Sequence, residues 1–205
     1  MADQVGILPG VGITVGTEAR ARPAVQIVPI KGLPIVAVIV VGLIVAISTD
    51  SRWALSFYHV AGGGLWTGID LFVGLVIGPI LGRLSIPARA EFSARFMPMM
   101  VLIMPTLVVM TLASGFQLGV DLGNFTSSSP NHAWLVGSFI VVGIMATIAL
   151  ALLEPANIAV LFEMNKQHPN GAVIATLMRR FVYTAAITGI MQIATLVIMT
   201  RVASQ

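Results

Sequence analysis

Of the 205 residues, 57% are hydrophobic and 9% are charged, against about 25% charged in a soluble domain, so the composition excludes an ordinary water-soluble fold and points to an integral membrane protein. The 11 Lys and Arg outnumber the 8 Asp and Glu, but they flank apolar runs and form no basic patch interleaved with aromatics, which argues against a nucleic-acid partner. With no cysteine there is no disulfide frame, thiolate metal site or nucleophilic thiol, so any metal must be held by His, Met or carboxylate.

Residues 1–32 lack the early positive charge and apolar core of a secretory leader. Short β-branched runs such as GITVGTE and AVQIVPI, broken by Gly and Pro, suit an extended segment or hairpin but bring too little hydrophobic mass for a domain. This stretch is read as a cytoplasmic arm, either a flexible tail or a segment that orders against a partner subunit.

Five apolar stretches follow, at 33–49, 54–82, 97–118, 133–162 and 181–201, each close to or above the roughly 20 residues that cross a hydrocarbon core. The fold class expected is therefore all-α: a polytopic membrane helix bundle of five transmembrane helices, with one N-terminal helix (33–49) preceding a four-helix bundle (54–201). Pro155 is expected to end or kink the fourth span. Nine basic residues (Arg20, Arg22, Lys31, Arg83, Arg89, Arg95, Lys166, Arg179 and Arg180) fall on one side of this layout, and two (Arg52 and Arg201) on the other. Basic loops stay in the cytoplasm, which places the N-terminus inside, the C-terminus outside and the loop DLGNFTSSSPNH (121–132) on the exterior of the inner (plasma) membrane.

The second span opens with FYHVAGGGLWTGID. On a helix turning about 100° per residue, Trp66 and Asp70 fall about 20° to either side of His59, so one face collects the polar-capable groups. That face is expected to look into the bundle. The glycines at 62–64 would let a neighbouring helix or a flat ligand approach. Asp70 stands near the middle of the span, where a lone carboxylate costs about 2.5–3.5 kcal/mol, so it is either a proton or ion site or a carboxyl bonded to Thr188 or Gln192.

The other spans offer partners. In the third, Met97, Met100 and Met104 share a face, as gap-filling core or, alternatively, thioether copper ligands. The fourth opens with His132 at a depth similar to that of His59, and Glu154 further along is expected to pair with Arg83 or Arg180. In the fifth, Thr184, Thr188, Gln192 and Thr195 form a polar stripe suited to hydrogen bonding between helices. His168, in the loop NKQHPNG, is read as a solvated residue. A pair of histidines on facing helices suits haem b or copper, which makes His59 and His132 the candidate metal and cofactor ligands.

The run FYHVAGGGLWTGIDLFVGLVIGPILGRLS, followed by ARFMPMMVLIMPTLVVMTLASGFQLG, the helix opening HAWLVGSF, and MRRFVYTAAITGIMQIATLVIMTRV, resembles the membrane domain of copper-resistance protein D and its bacterial multi-span relatives. More distantly it is similar to HemJ-type protoporphyrinogen oxidases, although LFVGLVIGPIL stands where that family continues with arginine and tyrosine. The resemblance covers 54–201 and implies a four-helix membrane bundle with His59 as a haem, porphyrin or copper ligand. Such a cofactor is expected between the second and fourth helices near the outer surface, with Trp66 packed against it. The function expected is that of an integral membrane subunit of a larger redox complex engaged in electron transport, not catalytic on its own, surrounded by lipid and other subunits. The alternatives are a metal or solute transporter using Asp70, and a structural or assembly subunit without cofactor.

Overall fold

The computed structural model describes residues 27–204; the arm expected at 1–32 lies outside this range as far as residue 26. Five helices follow one another: α1 (Ile30–Ser48), α2 (Arg52–Arg83), α3 (Ile86–Asp121), α4 (His132–Met164) and α5 (Gly171–Ala203). Each is long and apolar enough to cross a membrane, and no strand occurs among the described residues. Apolar side chains leave no alternative partners for the backbone, so the amides and carbonyls pair within each helix.

The helices begin earlier than their apolar runs. α3 starts at Ile86, not at 97, and α5 at Gly171, not at 181. Hydropathy marks where a helix is apolar and not where it starts: the first turns of α3, IPARAEFSARF, are amphipathic. They bury Ser93 and carry an exposed Glu91–Arg95 pair at 2.9 Å, spaced i,i+4. The Asn170 side chain caps α5 by accepting from the Ala172 and Val173 amides.

Two π-helical turns interrupt the ladders, Val73–Ile77 in α2 and Ala149–Leu153 in α4. Each stops two residues before a proline, Pro79 or Pro155. A proline has no N–H and its ring clashes with the carbonyl four residues earlier, and the wider turn absorbs both defects. α4 therefore continues through Pro155 to Met164.

α2 packs on α3 and α5, and α4 on α5, while α1 lies outside against α2 and α3. The second half of α4, Glu154–Met164, also packs on α3; its first half packs mainly on α5. The ring α2–α3–α4–α5 is thus closed at the Arg83 end and looser between α3 and α4 at the end carrying the 122–131 loop. Met97, Val160, Leu161 and Phe181 fill the closed end, and Met97, Met100 and Met104 are all core packing.

Glycine sets the α2–α5 distance. A Cβ on Gly74 would lie 2.5 and 2.6 Å from the Cβ and Cα of Ala186, and one on Gly78 would run into a Val182 methyl. The Gly-x-x-x-Gly spacing places both on one face, and the helices meet almost backbone to backbone.

The ion pairs among the described residues are Arg95–Glu91 and Lys166–Glu163, so Glu154 does not form the expected pair with Arg83 or Arg180. Glu154 is half-buried, whereas both arginines are exposed. His168 is exposed in its loop, as expected.

Candidate functional site

The α2 face carrying His59, Trp66 and Asp70 turns into the bundle, and two helices share it. His59 is held by α3: its Nδ1 lies 2.9 Å from the Thr111 carbonyl oxygen. A carbonyl only accepts, so Nδ1 carries the proton, and in the neutral imidazole Nε2 keeps its lone pair. Nε2 has no partner among the described residues. The contact depends on Gly115, where a Cβ would sit 2.5 Å from both Cε1 and Nδ1 of the imidazole. Gly115→Ala is therefore expected to displace His59 without adding any group that reacts. The histidine Nδ1 resonance should lose its hydrogen-bonded shift while helix content stays unchanged; an unmoved resonance would break the link between Gly115 and His59.

Asp70 is held by α5. Its Oδ2 accepts from Thr188 Oγ1 at 3.1 Å and from Gln192 Nε2 at 2.9 Å, and the Trp66 indole lies beside the same carboxyl. At 2% exposure the carboxyl is enclosed, and the polar stripe of α5 is what encloses it. Thr184 and Thr195 each return a hydrogen bond to the backbone of their own helix. Asp70→Leu leaves the Thr188 hydroxyl and Gln192 amide buried without their interhelical acceptor, which costs about 1–3 kcal/mol, whereas Asp70→Asn keeps an acceptor oxygen and should cost less. Thermal unfolding in mild detergent checks the order; equal loss from both variants would contradict it.

A cavity of about 270 Å³ opens between α2, α3, α4 and α5 in the looser half of the bundle. His59 and Trp66 line it, with Gly63 and Gly64 as side-chain-free wall. Gly62 instead brings α2 against α3, since a Cβ there would meet Thr111 Oγ1 at 2.5 Å. At the loop end Phe125 packs between Phe116 and Phe139 with its ring tilted to both, ring centroids 5.3 and 5.6 Å away, and the latter two also line the cavity. This aromatic cluster bridges the gap between α3 and the first half of α4.

Polar groups on the cavity wall are few. Thr67, Thr111 and Thr195 bond to their own helices. Ser138 has no hydrogen-bond partner among the described residues, and Gln192 Oε1 is buried without one. Helical spacing alone does not single out Ser138 or Gly115: serine in an apolar helix is a visible signal, whereas a glycine that seats an imidazole is not.

His132 stands at the first residue of α4 with Nδ1 buried and unpartnered, but it is not among the residues lining the cavity. Asp70 does not line it either; Gln192 links the two, bonding Asp70 with its amide nitrogen and bordering the cavity itself. No three of His, Cys, Asp and Glu come together in a metal-holding group among the described residues. No family model, curated protein or solved structure matches this chain, so the resemblance to copper-resistance protein D rests on the quoted residues alone.

Proposed function

We propose that the chain is an integral subunit of a redox complex in the inner (plasma) membrane, and that the cavity beside His59 is where it holds a ligand. One observation carries this. His59 spends Nδ1–H on a backbone carbonyl, and its free Nε2 belongs to a residue lining an apolar cavity inside the bundle. An imidazole oriented through one nitrogen presents the other as a directed acceptor or ligand. A cavity near the lower bound of the usual range of about 300–1,000 Å³, mostly apolar with a few polar groups, has the character of a small-molecule site. The redox assignment comes from the resemblance.

The donors suit a ligand held by one imidazole. They do not suit a haem b held by two, because His132 stands outside the lining, and they do not suit copper, for which a cavity of this size leaves most of the volume unused. Organic extraction and mass analysis of the protein purified from its own membrane, beside its visible spectrum, test the proposal. A stoichiometric small molecule that His59→Ala removes is the result expected. A cavity holding nothing beyond acyl chains, equally in both proteins, would overturn it.

Orientation follows the charge bias, with the N-terminus inside and the C-terminus outside. A phosphatase fused after Gln205 should be active in the exterior compartment; a fusion active only in the cytoplasm would reverse the assignment.

A further inference from the structure

We propose that the ligand is a hydroquinone, a flat apolar ring bearing two hydroxyl donors; the inference rests on the cavity being the ligand site. Two residues lining the cavity carry a polar atom with no partner among the described residues, His59 Nε2 on α2 and Ser138 Oγ on α4; Gln192 on α5 also lines it, but its amide nitrogen is spent on Asp70 and its Oε1 is enclosed by protein. A bond made elsewhere fixes the first of them as an acceptor. His59 has committed its Nδ1–H to the Thr111 carbonyl, which leaves Nε2 with its lone pair. Ser138 serves as donor or acceptor.

The rest of the wall selects the body of the ligand. Trp66, Phe116 and Phe139 offer ring faces and edges, and Gly64, with nothing within 4 Å of where its Cβ would be, leaves a flat strip of helix backbone. Val60 and Leu196 belong both to the lining and to the exposed apolar surface, so the cavity reaches the face that lipid would cover and a lipid-soluble ring can enter sideways. The oxidised quinone has the same ring but two carbonyl acceptors, one of which would confront the lone pair of His59 Nε2. The site therefore favours the reduced form.

Isothermal titration of the protein in nanodiscs under anaerobic conditions, with empty nanodiscs as the blank, tests this using duroquinol and duroquinone. Duroquinol should bind at least about tenfold tighter than duroquinone. Ser138→Ala, which breaks no hydrogen bond among the described residues, should weaken duroquinol binding about three- to tenfold. Equal binding of both oxidation states, or a Ser138→Ala protein that binds as wild type does, overturns the hydroquinone. If binding nonetheless depends on His59, or a haem spectrum accompanies the protein, the cavity remains the ligand site and only the ligand class falls. If neither compound binds and His59→Ala releases no other molecule from the native protein, both fall.

Discussion

His59→Ala is expected to release the bound ligand while the bundle stays folded. Among the described residues the imidazole makes one hydrogen bond, to a carbonyl that already belongs to the α3 helix ladder, so its removal costs the fold about 1 kcal/mol. The ligand loses its directed nitrogen, and affinity should fall by at least about tenfold, or about 1.4 kcal/mol. His168→Ala, altering an exposed loop residue, should leave binding unchanged, and so should His132→Ala, because His132 does not line the cavity. Ligand content measured on the three purified variants decides the matter. Equal loss in His59→Ala and His132→Ala would restore a two-histidine site and refute the single-imidazole arrangement.

Gly74→Val is expected to be the most damaging single change to the fold. The new side chain would be driven into the Ala186 backbone, where even a Cβ sits at 2.6 Å, and backbone cannot rotate away. Overpacking of this kind costs about 1–3 kcal/mol and sometimes more, and here it separates α2 from the helix that holds Asp70. Gly64→Ala and Gly82→Ala, where a Cβ meets nothing within 4 Å, should unfold at the wild-type temperature. A Gly74→Val protein as stable as the Gly64→Ala protein would mean that α2 and α5 are not in backbone contact.

The long apolar runs made the five helices legible in the sequence, and the 100° spacing of His59, Trp66 and Asp70 identified the inward face. Thr188 and Gln192 could be named as partners of Asp70 because a membrane carboxylate needs donors and the fifth helix offers them at helical spacing. The starts of α3 and α5 were hidden, since amphipathic turns such as IPARAEF end a hydropathy run without ending a helix. The π turns were hidden as well: Pro79 and Pro155 provoke them, whereas Pro98 and Pro105 sit in α3 without one. Similar depth on two helices says nothing of rotation, so the sequence could not show that the His132 side chain is not among those lining the cavity. Gly115 and Ser138 acquire meaning only once α3 and α4 are placed around His59.

An experimental density map of the protein purified from its native membrane tests the central claim most directly. The result expected is non-protein density in the cavity between α2, α3, α4 and α5, within about 3 Å of His59 Nε2, with Nδ1 still on the Thr111 carbonyl. A map in which α3 and the first half of α4 close on each other and remove the cavity, or in which Nε2 bonds to a side chain of this protein, would contradict it.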